Sequence, residues 1–240
     1  TAKTYAGFAE NTTHTSRIAS GNVAADESLV LKLYYDRLTY VVTFRNHDDS
    51  MLKEETIRFE GNATPPDDPT RTGYTFHSWD GDYTGVKAAQ TIKATFTANI
   101  NTIYTVEHYQ QNIKDDGYTL EVTEVLSGTT DTAATAIAKT FTGFLENTTH
   151  DDRMSTGNID GDGSRVLKLF YDRKTYTVTF KNHDNSVLEN ETVRYGGDAT
   201  PPADPIRAGY TFLDWNGTYA SITKSETVWA VFSAITTTPY

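Results

Sequence analysis

The sequence predicts a mainly β protein built from small modules in tandem, and three observations support this prediction. Threonine occurs 41 times and tyrosine 15 times in 240 residues, and both residue types favour the pleated surface of a strand. A stretch of 96 residues recurs downstream without a gap. Apolar and polar residues alternate with a period of two along most segments, which is typical of strands that bury one face.

The internal repeat pairs residues 3–98 with residues 139–234, and 53 of the 96 paired positions are identical. Residues 103–138 have no upstream counterpart, so residues 1–37 match only the second part of a longer unit. A Tyr-Asp-Arg triplet divides each copy again. The predicted organisation is a half-module (1–37), a first B module (38–98), an A module (103–173), a second B module (174–235) and a short tail (236–240).

The joints between these modules are a few residues long and contain no Gly/Ser or Pro tract, so stiff coupling of neighbouring modules is expected. Alternation predicts strands over residues 29–35, 39–44, 104–109, 118–122 and 175–180. Turn residues separate these runs, for example at 46–50, 115–117, 161–163 and 182–186. Residues 131–139, where alanines lie among threonines, are a candidate for one or two helical turns.

A motif in the B modules resembles a known family. Pro69–Trp79 and Pro205–Trp215 both read Pro-x-Arg-x-Gly-Tyr-x-Phe-x-x-Trp, between a Tyr-x-Val-x-Phe strand and a closing apolar strand. This pattern is similar to the Listeria–Bacteroides repeat, the B-repeat of internalin-type surface proteins. The A module opens with Tyr104-Thr105-Val106-Glu107-His108 and closes at Tyr171-Asp172-Arg173, and it resembles the repeats of mucin-binding proteins.

The resemblance implies β-grasp-like modules strung along a bacterial cell-surface protein, so an extracellular segment attached to the cell wall through other parts of its parent is expected. The chain opens without methionine or a signal peptide, so we expect it to be a piece of something longer. Neither family carries over a catalytic residue. Within the motif, Gly73 and Gly209 are expected to adopt a positive φ. Trp79 and Trp215 are expected to be core aromatics, with a sugar-stacking platform as the alternative.

Charge and composition exclude several functions. The formal net charge is −11, whereas nucleic acids and anionic membrane faces both attract basic surfaces. The apolar runs are too short for membrane insertion. Cysteine is absent, which removes thiolate sites, and no nucleophile elbow, phosphate-cradling loop or His-Glu-x-x-His motif occurs. We therefore predict no enzyme activity and no cofactor.

One segment resembles half of a calcium-binding loop. Asn158, Asp160 and Asp162 place oxygen ligands at alternate positions before a glycine, but the twelfth position is Leu169 where such loops have a bidentate glutamate. A hairpin turn is the favoured interpretation, with an adventitious cation site as the alternative. Two pairs of histidines recur in the two copies, His14 with His150 and His47 with His183. All four are expected to hydrogen-bond to turn backbone, since no second ligand stands at metal-site spacing.

Two surfaces are candidates for interaction. In the last strand, Trp229 and Val231 replace Lys93 and Thr95 of the first copy. That strand is apolar on both faces, so Trp229 is expected to be covered by a neighbour or to form a contact surface.

The second surface lies in the half-module, which lacks the counterpart of the strand at 104–109. An open sheet edge is therefore expected there. Three outcomes are open: disorder of residues 1–28, pairing with a neighbouring molecule, or supply of the missing strand by a stretch of chain that was cleaved or lies outside this sequence. Pairing of some kind is favoured, because it buries the apolar side chains. The residues concerned are Leu29, Leu31 and Leu33.

Three functions fit these features. The leading one is a non-catalytic, semi-rigid stalk or spacer that presents an adhesive domain. The alternatives are an adhesin module that binds a host glycan or host protein directly, and a subunit of a surface layer or fibre assembled by strand complementation. The expected partners are neighbouring copies or other modules of the same protein, with a host molecule added in the adhesin alternative.

Overall fold

The computed structural model describes residues 1–23 and 25–236, and these residues form 16 β-strands and no helix. The predicted mainly β tandem class is therefore confirmed. A β-grasp module also contains a helix, and the described residues form none. They also hold no helix long and apolar enough to cross a membrane. The chain divides into two compact units, Thr1–Asn99 and Ile100–Tyr240. The predicted tail lies outside the described residues from 237 onwards.

Each B module is one mixed four-stranded sheet. In the first, the strand order is β4-β3-β6-β5, so the first and last strands are parallel neighbours in the centre and the other two pair with them antiparallel at the edges. The second B module has the same order, β14-β13-β16-β15. The bounds are β3 Thr39–Arg45, β4 Met51–Arg58, β5 Tyr74–Trp79, β6 Gln90–Ala98, β13 Thr175–Lys181, β14 Val187–Arg194, β15 Tyr210–Asn216 and β16 Glu226–Ala234.

The B-module cores form on one face of each sheet. Phe44 and Phe180 are fully buried. Trp79 packs edge-on against Phe44 and Trp215 against Phe180, and the ring centroids are 5.1 Å apart in both modules. The core role predicted for the tryptophans is confirmed for Trp215, which is buried, whereas Trp79 is partly buried and packs against its core. The predicted positive φ is also confirmed at Gly73 (79°) and Gly209 (78°).

The A module has a four-stranded sheet of order β10-β12-β7-β8 and a two-stranded sheet, β11-β9. Its first and last strands are again parallel neighbours. Val106, Leu167 and Leu169 line the core beneath them. The bounds are β7 Thr102–Gln111, β8 Tyr118–Gly128, β9 Ala133–Thr135, β10 Phe144–Glu146, β11 Thr156–Asn158 and β12 Val166–Arg173.

The predicted helix at 131–139 is wrong. Residues 133–135 form strand β9, which pairs antiparallel with β11 and buries Ala134 in the core. Asp131 turns the chain into this strand with a φ of 62°. Alanine favours a helix locally, but the backbone pairing with residues 156–158 and the burial of Ala134 override that preference.

The strand predicted at 29–35 of the half-module is largely absent. The half-module forms β1 (Phe8–Glu10) and β2 (Tyr35–Arg37), which pair antiparallel. Before β2, a bridge joins Ile18 to Lys32. In the A module, residues 166–171 of the equivalent segment form a strand because β7 pairs with them. Without that neighbour, alternation alone does not make a strand here.

Candidate functional site

In the second compact unit, Ile100–Tyr240, the candidate site is the joint between the A module and the second B module. Strand β12 ends at Arg173 and β13 begins at Thr175, so Lys174 alone connects the two sheets. The Lys174 amide donates to the Gly143 carbonyl, and its carbonyl accepts from the Tyr195 amide, both at 2.8 Å. Backbone bonds therefore tie the connecting residue to both modules.

Arg173 lies at the centre of this joint. Its Nε donates to the Gln111 carbonyl (2.6 Å), its Nη1 donates to the Tyr195 carbonyl (2.9 Å), and its guanidinium carbon lies 4.7 Å from the Phe144 ring centroid. Burial, with Arg194 nearby, lowers the pKa of Arg173 from its usual value. The Arg173 side chain thus contacts the end of β7, the residue after β14, and β10. Because the guanidinium is charged, its hydrogen bonds are stronger than those between neutral groups.

Gly143 provides the space into which the partner module fits. Its φ is +84°, and a Cβ atom at this position would lie 2.2 Å from Cδ1 of Tyr195. The tyrosine ring also contacts Phe144, with centroids 6.3 Å apart. Only glycine satisfies both the backbone conformation and the close approach of the ring.

The β7–β8 turn adds a second contact across the joint. Arg194, at the end of β14, donates through Nη1 to the Asp115 carbonyl (2.5 Å) and pairs through Nη2 with the Asp116 carboxylate. The side chain of Ile113 packs close to Gly197. The A module therefore holds the second B module through its last strand and through its first hairpin.

The joint between the half-module and the first B module has the same central contacts. Arg37 donates to the Phe59 carbonyl (2.8 Å) and lies 5.0 Å from the Phe8 ring centroid. Gly7, at φ +75°, lies under the Phe59 ring, and Leu38 makes the same two backbone bonds as Lys174. The arrangement is built twice, 136 residues apart; we call it the Arg–Gly clamp, after Arg37 with Gly7 and Arg173 with Gly143.

A partly buried polar network holds the β7–β8 hairpin to the rest of the A module. His108 is 0% exposed, with Nδ1 2.8 Å from the Tyr171 hydroxyl and Nε2 2.9 Å from the Glu124 carboxylate. The Glu124 carboxylate also pairs with Lys139 Nζ at 2.7 Å. Hydrogen bonds from Lys139 and then His108 lower the pKa of Glu124. The Lys139 amide donates to the Tyr171 hydroxyl, which completes the network.

An aromatic cluster lies on the outer face of the A-module sheet, beside an open groove. The Phe170 ring is stacked between Tyr109 (5.0 Å) and His150 (3.7 Å), and Tyr118 meets it edge-on. A hydrogen bond to Glu107 raises the pKa of Tyr109 to about 12. Both faces of the Phe170 ring are covered, so this ring offers no free face for stacking against a sugar.

The prediction of turn-bound histidines is confirmed for His14 and His150. Nδ1 of His14 accepts from the Ser16 amide (3.2 Å) and Nδ1 of His150 accepts from the Asp152 amide (3.1 Å). In addition, each of these two histidine rings stacks on the aromatic ring that directly precedes the Tyr-Asp-Arg triplet of its module, Tyr34 or Phe170. The prediction is wrong for His47 and His183, whose Nδ1 atoms lie 3.1 and 3.0 Å from the side-chain Oδ1 atoms of Asn46 and Asn182.

The weak metal candidates bind protein groups instead of converging. Asp160 pairs with Arg165 (3.0 Å), and the Asp162 carboxylate accepts from the amide and hydroxyl of Ser164. Asn158 lies in β11, which pairs with β9. Residues 160–163 form the predicted turn, and an antiparallel bridge between Met154 and Lys168 joins the chain on its two sides. The strands β11 and β12 next to the turn pair with other strands. The described residues hold no cluster of three or more His, Asp or Glu side chains suited to a metal ion.

The two predicted interaction surfaces lie apart in sequence and in different units. Trp229 is 43% exposed and Val231 is also exposed, both on the outer face of β16. In the half-module, Leu31 is exposed and Leu29 and Leu33 are half-buried. Their roles as contact surfaces stay predictions.

Sequence reasoning missed the Arg–Gly clamp. The sequence did contain a signal for the clamp: a Tyr-Asp-Arg triplet ends both the half-module and the A module, and a new strand begins after one further residue. The aromatic partners Phe59 and Tyr195 gave no signal of their own, because each follows an edge strand of a B module.

The family model of the Listeria-Bacteroides repeat domain matches residues 40–106 and 176–237, more than half of the chain. The chain belongs to this family. The matched segments cover the two B modules, and the first of them extends to residue 106 in β7. The family resemblance read from the Pro-x-Arg-x-Gly-Tyr motif is therefore confirmed for the B modules. The resemblance of the A module to mucin-binding repeats stays a prediction.

Other relatives of this Listeria-Bacteroides repeat chain are long proteins. One from Evansella cellulosilytica, provisionally described as a membrane protein, is 27% identical over 186 residues, covering 73% of this chain and 27% of the relative. Another from the same organism, provisionally described as a Gly-rich membrane protein, is 25% identical over 174 residues, covering 67% of this chain and 20% of the relative. The chain thus spans about a quarter or less of these relatives.

Two solved structures share weaker similarity with it. Domains 3-4 of the Streptococcal High Identity Repeats in Tandem from a cell surface protein match with 18% identity and a TM-score of 0.23, over 56% of this chain and 98% of that one. The structure of Mub-RV matches with 15% identity and a TM-score of 0.16, over 57% and 98%.

Proposed function

We propose that this segment is a non-catalytic spacer of a bacterial cell-surface protein, which holds another part of its parent away from the cell. The observation that supports the proposal is the Arg–Gly clamp, built twice around a connection of one residue. A free linker would let modules swing. Here, backbone hydrogen bonds and an arginine fix the half-module to the first B module, and the A module to the second.

Family and charge support the same proposal. The B modules are Listeria-Bacteroides repeats, and stacked repeats that contact only their neighbours are suited to spanning distance. A net charge of −11 keeps such segments soluble and mutually repelling. Attachment to the cell wall or membrane belongs, in this proposal, to other parts of the parent.

The alternative, direct binding of a host glycan or protein, has its best location in the groove beside Tyr109 and His150. The covered faces of Phe170 argue against sugar stacking there. A glycan array probed with the chain distinguishes the two functions, since a spacer leaves the array without signal.

The clamp makes the spacer proposal testable by distance measurement. The chain has no cysteine, so spin labels can be placed at Thr123→Cys on β8 and Glu189→Cys on β14, both exposed. A narrow distance distribution is expected, broadened by Arg173→Ala. Arg165→Ala, which removes an ion pair inside the A module, is the matched control and should leave the distribution narrow. A broad distribution in the unsubstituted protein would contradict a clamped joint.

Small-angle scattering tests the spacer on a larger scale. Compact packing of 240 residues gives a radius of gyration of about 18 Å, and a spacer should be well above that value. A radius close to the compact figure would refute the proposal.

A further inference from the structure

Strand β8 lies at the edge of the A-module sheet and is the longest strand among the described residues. It comprises Tyr118–Gly128 and pairs with β7 on one side, and no other described strand pairs with its second side. The A module is present from its first strand to its last, so the open edge belongs to the module itself. We propose that this edge pairs with itself: the β8 strands of two copies of the chain align antiparallel and join two A-module sheets into one. This inference goes beyond the spacer function and does not depend on it.

The other edge strands of the four-stranded sheets carry protection that β8 lacks. Strands β4 and β14 are rich in charged residues. Glu55 of β4 accepts from the Thr64 amide at 2.9 Å, and Glu191 of β14 accepts from the Thr200 amide at 2.6 Å, so each strand holds a neighbouring loop. Strands β5 and β15 have seven residues or fewer and a register shift interrupts each, while β10 has three residues. Such features protect sheet edges from pairing, whereas β8 contains no lysine, arginine or proline.

A β-bulge sets the part of the β8 edge that can pair. The register between β7 and β8 shifts at Glu121, so Val122–Gly128 is the uninterrupted segment. A bulge bends the strand, and regular pairing is not expected to continue past it. The midpoint of the uninterrupted segment is Val125, which is 65% exposed and the most exposed apolar side chain of β8. Because a two-fold contact places its midpoint opposite itself, the symmetry axis passes through Val125.

The segment is self-complementary around this centre. Val125 lies opposite its own copy and Thr123 opposite Ser127 of the second copy, and β-branched and hydroxyl pairs of this kind stabilise antiparallel strands. Glu124 is the only charged residue between 122 and 128, and it lies opposite Leu126 of the second copy. Its carboxylate is already paired with Lys139 Nζ at 2.7 Å. No like charges therefore lie directly opposite each other.

Apolar surface on the outer face of the sheet supports the same pairing. Ile103 of β7 pairs with Ser127 of β8, so it shares a face with Ser127 and with Val125, two residues away along the strand. Ile103 is 53% exposed. Pairing of two β8 strands brings the Val125 side chains of both copies together on the face that carries Ile103. Removing this apolar surface from water favours the pairing.

The charge of the whole chain acts against this contact and gives it a signature. Two copies with a net charge of −11 each repel one another. Salt screens repulsion between exposed charges, but it leaves strand pairing and apolar burial in place. Self-association through β8 should therefore tighten as the salt concentration rises. A contact held by surface ion pairs would weaken instead.

Sedimentation of the full chain tests the proposal, in a Trp229→Lys background that removes the other candidate contact surface. From about 10 μM to about 1 mM protein, we expect a monomer–dimer equilibrium that stops at two chains and tightens between about 0.02 and about 0.5 M salt. Val125→Lys should weaken the dimer at least about tenfold. Val187→Lys, at a residue 52% exposed on the edge strand β14, is the matched control and should leave the dimer unchanged.

Single cysteines test the register, since the chain has none of its own. Val125→Cys should form a disulfide-linked dimer on mild oxidation, because the two Cβ atoms lie about 5 Å apart in the proposed pairing. Thr123→Cys alone should not, because its two copies are about 13 Å apart along the strands. A mixture of Thr123→Cys and Ser127→Cys chains should cross-link as the mixed dimer, which tagged chains of different mass identify.

Four results would overturn the proposal. They are a single-chain mass at about millimolar protein, association that Val125→Lys leaves unchanged, growth beyond two chains, and cross-linking of Thr123→Cys alone as efficient as that of Val125→Cys. The cysteine results do not depend on the folding of the lysine variant. The spacer proposal is tested within one chain, at the joint, so failure of the β8 contact would leave that proposal standing.

Discussion

Replacement of Gly143 by alanine should destabilise the Arg–Gly clamp, and the chain supplies its own control. Gly143 and Gly209 have nearly the same backbone conformation, with φ of +84° and +78°. A Cβ at Gly143 would lie 2.2 Å from the Tyr195 ring, whereas a Cβ at Gly209 would meet nothing within 4 Å. The two substitutions therefore share the backbone strain and differ only in the collision.

The expected magnitudes follow from this difference. Alanine in the left-handed region costs about 1–2 kcal/mol, which is the whole expected effect of Gly209→Ala. Gly143→Ala must also displace the Tyr195 ring from Phe144, and an aromatic pair of this kind contributes about 0.5–1.5 kcal/mol beyond its buried area. With the loss of ring burial, Gly143→Ala should cost about 2–4 kcal/mol of local stability.

Hydrogen exchange with mass spectrometry measures these local free energies. For Gly143→Ala, exchange should accelerate in peptides covering residues 140–146 and 170–180. In a Tyr195→Ala background, the same substitution should cost no more than Gly209→Ala does in its own module, because the collision is gone. Equal costs for the two glycines in the unsubstituted background would refute the close-approach argument, as would a large cost that persists without the Tyr195 ring.

Three further predictions concern single side chains. Trp229→Lys, which restores the residue type of the first copy, should leave the melting temperature nearly unchanged and reduce any self-association seen in sedimentation; a large fall in melting temperature would assign Trp229 to the core. His108→Ala should destabilise the A module by about 2–4 kcal/mol in urea unfolding, because it removes the His108 hydrogen bonds to the Tyr171 hydroxyl and the Glu124 carboxylate and opens a cavity. Because the pKa of Glu124 is lowered in the folded protein, the stability that Glu124 contributes is present above its unfolded pKa near 4.5 and is lost as pH falls through its folded pKa. Lys139→Met should raise the folded pKa of Glu124 in an NMR titration. An unchanged pKa would contradict the assigned cause.

The sequence alone predicted those parts of the fold that depend on local pattern. Alternation located the strands at 39–44 and 175–180, since each buries one face of its sheet. The B motif predicted that Trp79 and Trp215 pack against the cores and that its glycines have a positive φ, because each reflects the chemistry of one residue type.

Features that depend on distant partners could not be predicted this way. Residues 131–139 have helical composition but form a strand, since residues 156–158 pair with them. Residues 29–35 have the alternation of a strand but lack the neighbour that would extend them. The clamp links Arg173 to the Gln111 carbonyl, 62 positions earlier, and no local pattern reports such a bond.

The parallel pairing of first and last strands has a mechanical consequence. In each B module the chain enters at one end of the sheet and leaves at the other, because β3 lies parallel to β6 and β13 to β16. Tension between the two ends therefore shears these strands along their length, and their hydrogen bonds must break together instead of unzipping one by one. The A module shares this geometry over six residue pairs, against four in each B module, so it should be the last module to yield when the chain is stretched.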